Sequence, residues 1–436
     1  MNISTGRGRT FPNCSGSVAG VTQREFDLVL YGATGFVGKL TAQYLAGAAG
    51  SARIALAGRS EQRLRAIRDG LGPAAQSWSL VTADASAQAS LEAMAARTQV
   101  VVTTVGPYAR YGLPLVAACA AAGTDYADLT GETTFIRDSI DLYHKQAADT
   151  GARIVHSCGF DSVPSDLTVY ALHRRAETDG AGDLGDTNLV LRKFGGGVSG
   201  GTVASMMEFM RTLSSDPEAR ALMNDPYTLS PDRGAEPELG AQPDVRWARG
   251  EQIAPELAGY WTGAFAMAAP NTRIVRRSNA LLGYAYGRRF AYAEQMSMGR
   301  SVLAPLAAAV VTGSNAFTLG VGGRYFNRLP SSLIERVAPK PGTGPSEQTR
   351  EQGHYRIETY TTTTSGTRYV ATMAQQGDPG YKATALLLGE CGLALATDRD
   401  ALSELRGVLT PAATMGEALL TRLPAAGVTL DTTELH

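Results

Sequence analysis

The sequence predicts an α/β protein built on a doubly wound parallel sheet, with a second α+β domain carrying an antiparallel sheet. Three observations predict it. The apolar run Phe26 to Tyr31 ends in three glycines spaced three apart, Gly32, Gly35 and Gly38. Strand-length apolar runs then alternate with helical patterns as far as Asp166. From Asp186 the pattern changes to longer alternating strands, among them a hairpin turning at Ser365-Gly366.

The first strand and its glycines set the frame. Gly32 takes the tight turn that leaves the strand, Gly35 presents no side chain to an approaching pyrophosphate, and Gly38 lets the helix Lys39 to Leu45 pack close. With Ala33, Thr34, Phe36 and Val37 they form a loop whose backbone N–H groups face phosphates, the signature of a Rossmann-type dinucleotide site. A purely structural turn is the alternative.

The second strand, Arg53 to Ala57, ends in Gly58-Arg59-Ser60. An NAD enzyme usually places Asp or Glu here for the ribose 2′-hydroxyl. Arg59, with Ser60 beside it, suits the 2′-phosphate of NADP instead; a solvated arginine is the plainer alternative. After the helix Glu61 to Leu71, the strand Leu80 to Asp84 ends at a carboxylate that either meets the adenine edge or caps the helix Ala87 to Arg97.

The fourth strand, Val100 to Val105, ends in Gly106-Pro107-Tyr108. Ligands sit at the carboxyl ends of such strands, so Val105, Gly106 and Pro107 belong near the nicotinamide. Tyr108 and Tyr111 each offer a phenol that orients a substrate or donates a proton, set against ordinary aromatic packing. A helix Pro114 to Ala122, a short strand Thr124 to Asp128 and the turn Leu129 to Glu132 follow. The sixth strand, Arg153 to Cys158, leads into Gly159-Phe160-Asp161-Ser162-Val163-Pro164-Ser165-Asp166. Ser165 or Asp166 is expected to cap the next helix, which leaves Asp161 as the functional candidate. Cys158 reads as a small buried hydrophobe rather than a reactive thiol.

A chain of 436 residues, 44% hydrophobic, has room for two or three domains. The net charge of −1, from 40 basic and 41 acidic residues, argues against electrostatic nucleic-acid binding. Cys14, Cys119, Cys158 and Cys391 are dispersed, form no metal-type pair and fit a reduced cytoplasm. Residues 1–24 read as a disordered tail without the apolar run of a signal peptide. Val302 to Val311, ten residues with Pro305 inside, is too short to span a bilayer. A buried helix is preferred for it, and a surface in peripheral contact with lipid is the alternative.

The dinucleotide domain is expected over 25–166, a substrate or partner domain over 167–376, and C-terminal helices packing back on the first domain over 377–436. In the second domain, Thr187 to Phe194 reads as a strand. The run Gly195 to Thr202 after it is a phosphate site, a substrate wall or a loop without a ligand. Met206, Met207 and Met210 read as core. Asp216 to Gly263 is an excursion of little regular structure, and Leu329 to Pro345 a surface loop. Arg273, Arg276 and Arg277 read as a solvated basic face before a docking site for an acidic partner. The chain is expected to close with the helices Lys382 to Ala396 and Ala412 to Leu423.

The combination of Gly32-Ala33-Thr34-Gly35-Phe36-Val37-Gly38, Ala57-Gly58-Arg59, Val105-Gly106-Pro107-Tyr108 and the Cys158 to Asp166 run resembles the saccharopine dehydrogenase-like oxidoreductases. With Asp225-Pro226-Tyr227, Arg233 to Gly240 and Gly353-His354-Tyr355, the resemblance is closer to the mycobacterial trans-acting enoyl reductases. It implies NADPH-dependent reduction of a carbon–carbon double bond in a polyketide chain. The chain would be held as a thioester on a synthase carrier domain, and the products would include phthiocerol-type wall lipids. Tyr108, Tyr111 and Asp161 are the proton-donor candidates by strand-end position, and the aspartate needs a raised pKa for that task. Two other readings stand beside it. One is a saccharopine reductase-like enzyme acting on an imine, with an arginine clamp for a carboxylate. The other is a non-catalytic lipid- or synthase-binding scaffold.

Overall fold

A computed structural model of the chain describes residues 24–196, 215–246, 248–317 and 346–436. The N-terminal tail, the run Gly197 to Thr202, the three methionines after it and the loop Leu329 to Pro345 lie outside these residues.

The first sheet is built among the described residues from β1 (Phe26–Tyr31), β2 (Ile54–Gly58), β3 (Ser79–Thr82), β4 (Thr98–Thr103), β5 (Asp125–Ala127), β6 (Arg153–Val155) and, far along the chain, β13 (Gly407–Leu409). Their order is β13-β6-β5-β4-β1-β2-β3 and all seven are parallel. The apolar runs of the strands inside this sheet are buried, as a sheet covered on both faces requires, while edge strand β3 buries only Val81. The connecting helices are α1 (Phe36–Ala48), α2 (Glu61–Gly70), α3 (Gln88–Arg97), α4 (Tyr108–Ala122) and α5 (Thr133–Thr150). The order reverses between β1 and β4, so the crevice of a doubly wound sheet opens at Gly32 and at Thr104 to Pro107.

Helix α6 (Val163–Thr178) leads to the second sheet. Its strands are β7 (Leu184–Gly195), β8 (Ala248–Arg249), β9 (Trp261–Ala264), β10 (Ala291–Gly299), β11 (His354–Thr363), β12 (Arg368–Gln376) and β14 (Thr429–Leu435). They lie in the order β14-β12-β11-β7-β10-β9-β8, and all neighbours run antiparallel except the β7–β10 pair. The helices of this half are α7 (Pro217–Asn224), α8 (Ala268–Leu281), α9 (Ala304–Phe317) and α10 (Glu347–Gln352).

The last helices, α11 (Thr384–Thr397) and α12 (Pro411–Ala425), lie between the sheets. Helix α11 packs on α1, β1 and β4, and α12 packs on α6 and α11. Gly389 brings α11 against α1: a Cβ there would stand 2.6 Å from the Tyr44 ring. Tyr44 donates to Glu390, which also accepts from Arg422 on α12. The ending differs from expectation. The chain does not close on a helix, since β13 adds the seventh strand of the first sheet and β14 forms an edge of the second.

Two further expectations are corrected. Arg273, Arg276 and Arg277 form no solvated face, because all three are buried on α8. Arg277 donates to the carbonyls of Leu229 and Val408, Arg273 to Asp244, and Arg276 to Asp244 and the Tyr292 carbonyl. They tie α8 to loops and to β13. The segment Val302 to Val311 is not a buried helix. Its small Ala308 packs against Gly263 on β9, so the bulkier Val302, Leu303, Leu306 and Val310 fall on the outer face.

Candidate functional site

Gly32 leaves β1 at φ +90°, and a Cβ on it would stand 2.7 Å from Thr104 Oγ1 and 2.8 Å from Val105 Cγ2. A Cβ on Gly38 would stand 2.2 Å from the Gly32 carbonyl oxygen, so this turn of α1 sits on the loop with no room for a side chain. Ala33 is buried, while Thr34, Phe36 and Val37 are partly buried and Gly35 is exposed at the N-cap. No side chain caps α1 and no acidic residue stands in its first turn. Its first N–H groups therefore remain available for an anion.

Helix α4 starts at the same sheet edge and differs in this respect. The Glu132 carboxylate accepts from the backbone N–H of Tyr108 at 3.0 Å and of Ala109 at 2.7 Å. The protein's own anion closes that N-terminus. Val105, the exposed Gly106 and Pro107 line the edge just before it, and the Gly106–Pro107 bond is cis.

Arg59, at the carboxyl end of β2, is exposed and makes no ion pair among the described residues. Its charge reaches Asp84, whose carboxyl is held below its usual range mainly by hydrogen bonds from Ser86. Ser60 caps α2, accepting from Arg63 N–H at 3.4 Å. Asp84 does not cap α3, because its Oδ1 accepts from Ser86 N and Oγ and builds the turn before that helix. An open glycine cradle, an uncapped helix and an unpaired guanidinium at the β2 end together fit a dinucleotide bearing a 2′-phosphate.

The proton-donor candidates separate by environment. Tyr108 is 4% exposed, tilts against Phe135 at 5.8 Å and donates its hydroxyl to the Thr103 carbonyl at 3.2 Å. Burial also raises its pKa well above the usual phenol value. It fastens α4 to β4, the packing role that stood beside the donor role in the sequence. Tyr111 is partly buried one turn along, with Arg110 over its ring at 5.1 Å. Asp161 lies beyond the end of β6, partly accessible and without a hydrogen-bond partner among the described residues. Burial, then the charge of Asp128, push its carboxyl up to about 7.

Asp128, in sequence no more than the end of a short strand, is the hub beneath Asp161. It accepts from Tyr126 Oη, His156 Nδ1, Thr130 N and Ser157 N. Ser157 adopts φ +63°, a left-handed conformation held by that bond and by its own hydroxyl on the Thr130 carbonyl. Asp166 caps nothing on α6. It is buried, accepts from Ser278 Oγ, and satisfies the N–H of Ala412 in the first turn of α12.

Beside Asp161, Phe160 packs edge-on to Tyr355 at 4.8 Å and lies 6.2 Å from Phe194, which is exposed. This aromatic wall joins the first sheet to β7 and β11 of the second. The Phe36 ring of the glycine loop meets Tyr381 edge-on at 5.0 Å, so the second half of the chain also borders the loop. Single aromatic residues far apart in sequence gave no signal for either contact.

Comparison with known proteins matches residues 28–155 to the saccharopine dehydrogenase NADP-binding domain. A Mycobacterium tuberculosis protein named trans-acting enoyl reductase is 68% identical over 414 residues, covering 95% of this chain and 99% of its own length. The Mycobacterium ulcerans protein of that name is 67% identical with the same coverage. A second M. tuberculosis protein, carrying the name provisionally, is 70% identical and is also covered over 99% of its length. Among solved structures, apo saccharopine dehydrogenase (L-Glu forming) of Saccharomyces cerevisiae shares the fold. Its TM-score is 0.51 at 14% identity, covering 94% of this chain and 99% of that one.

Proposed function

The chain belongs to the trans-acting enoyl reductase family, and from that premise we propose that it reduces the carbon–carbon double bond of an enoyl thioester delivered on a polyketide synthase carrier domain. It is an NADP-dependent oxidoreductase with its nucleotide domain over residues 28–155. The structural observation that carries the reading is the contrast at one sheet edge: the N-terminus of α1 is open and that of α4 is closed by Glu132.

Gly32, Gly35 and Gly38 with the first N–H groups of α1 would hold the pyrophosphate, and Arg59 the 2′-phosphate. Bound there, NADPH would supply the hydride that the substrate's β-carbon takes up. As that carbon is reduced, negative charge collects on the thioester oxygen and the α-carbon must take a proton. Asp161 is the acid this reading assigns, because a carboxyl with pKa about 7 still carries its proton near neutral pH. Phe160, Tyr355 and Phe194 would shield the reacting atoms from water and receive an apolar chain. The saturated product suits phthiocerol-type wall lipid, made by a cytoplasmic enzyme in peripheral contact with the membrane.

An amino-acid imine is a poorer fit. The arginines Arg273, Arg276 and Arg277, which could clamp its carboxylate, are spent on internal carbonyls and Asp244. The test is NADPH oxidation with a 2-enoyl thioester, presented on a carrier domain and as a short thiol ester. The expected product is the saturated thioester, two mass units heavier. Consumption of NADPH only with a 2-oxo acid and an amine would move the protein to the imine-reducing class.

A further inference from the structure

The face of α9 turned away from the protein is apolar, and nothing in the described structure covers it. Val302 is 95% exposed, Leu303 70%, Leu306 63% and Val310 60%. From Leu303 onward the spacing of three and four places these side chains on one stripe. The opposite face carries Ala304 and Ala308, both buried, and α9 is anchored there by Thr312 Oγ1 accepting from Ala264 N at 3.0 Å. The exposed stripe is therefore not required to seat the helix.

The surroundings point to its occupant. From Gln295 to Phe317 the chain has no Asp or Glu. Arg300, two residues before the stripe, is exposed and stacks on the ring of Tyr260 at 4.1 Å. An apolar stripe, an aromatic ring at its margin and an exposed cation are the parts of an interfacial anchor on anionic lipid. The exposed side chains amount to roughly 500 Å², comparable with the largest functional patches of monomers and short of the ~800 Å² per partner of a stable protein interface. No helix of the described residues is long and apolar enough to cross a bilayer, so the contact would be peripheral.

We propose that α9 and the turn before it form a membrane-docking element that inserts Val302, Leu303, Leu306 and Val310 into the surface of an anionic bilayer, with Arg300 on lipid phosphate. It would hold the enzyme where long acyl chains are used. The inference does not depend on the reaction assigned above, since it rests on a surface remote from Asp161 in sequence and on a different sheet.

The test is flotation of the full chain with phosphatidylcholine vesicles, and with vesicles containing about 30% phosphatidylglycerol. Wild type is expected to float with the anionic vesicles. The double change Leu303→Asp, Leu306→Asp is expected to lower the bound fraction at least tenfold, and Arg300→Glu to lower it on anionic vesicles only. Leu306→Gln serves as a milder change, and an unaltered melting curve and NADPH titration show that each variant is folded. Wild type that floats with neither vesicle type would overturn the proposal, as would an aspartate double variant that binds as well as wild type. So would a wild-type dimer that the double variant dissociates, since the stripe would then be a self-interface.

Discussion

Asp161 follows β6, Asp128 follows β5, and the charge of Asp128 reaches Asp161 across the space between the two strand ends. Asp128 is surrounded by four donors, whereas Asp161 has none among the described residues. Burial, then the charge of Asp128, push the Asp161 carboxyl up to about 7, the property that the proposed acid role requires.

The first prediction concerns this acid. Asp161→Asn is expected to lower kcat by about 10²–10⁴ with a small change in KM, the range for removing a general acid. In wild type, kcat should fall as pH rises through about 7, where Asp161 loses its proton. The variant should lack that limb. A full-activity variant with an unchanged pH profile would remove Asp161 from the mechanism.

Cofactor choice is expected to rest on Arg59. Loss of a charged hydrogen bond of about 1.5–3 kcal/mol corresponds to a Kd for NADPH roughly 10- to 100-fold weaker in Arg59→Ala. NADH, which has no 2′-phosphate, should bind wild type and variant alike. Fluorescence titration of both cofactors against both proteins measures this directly.

Two alanine substitutions in α1 should differ in sign. Gly38→Ala places a Cβ 2.2 Å from the Gly32 carbonyl oxygen and should abolish NADPH binding or folding. Gly47→Ala meets nothing within 4 Å and should stabilise the protein by up to about 1 kcal/mol through helix propensity. Thermal melts and NADPH titration of the pair separate local crowding from a general effect of alanine.

Stability should fall as pH rises above the acid range. Asp161 and Asp166 are pushed up to about 7 and Glu294 to about 8, in each case chiefly by burial. These groups hold protons in the folded state that the unfolded chain releases near pH 4. Their contribution is full below the unfolded pKa and is lost as pH climbs through 7 to 8. The slope is up to ~1.4 kcal/mol per pH unit for each group. Glu294→Gln should flatten the upper part of the curve, which urea unfolding at pH 5, 6, 7 and 8 would measure.

The nucleotide half was legible because its signals are local. A strand, a glycine triplet and a helix follow one another within 23 residues, Phe26 to Ala48. The existence and order of β2, β4 and β6 could be read from apolar runs, although β4 and β6 end at Thr103 and Val155, two and three residues before the expected ends. What sequence missed depends on partners distant in the chain. The three-residue β13 is too short to show a period, and it pairs with β6 more than 250 residues earlier. Three arginines on one helix read as solvated until Leu229 and Val408 are seen to offer carbonyls. Tyr108 and Asp161 both follow strand ends, and only burial and hydrogen-bond partners distinguish a core phenol from a carboxyl with no hydrogen-bond partner among the described residues. On α9, the composition favoured burial, but small Ala308 rather than the leucines faces Gly263.

The position of β13 has a consequence for biosynthesis. Six strands of the first sheet are translated by Val155, and the seventh arrives only at Gly407. At about 5–20 residues per second the ribosome needs roughly 10–50 s to make the intervening chain. During that time the edge of β6 has no neighbour, and its N–H and C=O groups can pair with another strand. Nascent chains thus carry an unpaired sheet edge from Val155 until Gly407 is made, and a truncated chain that stops before Leu409 lacks a finished nucleotide-binding sheet.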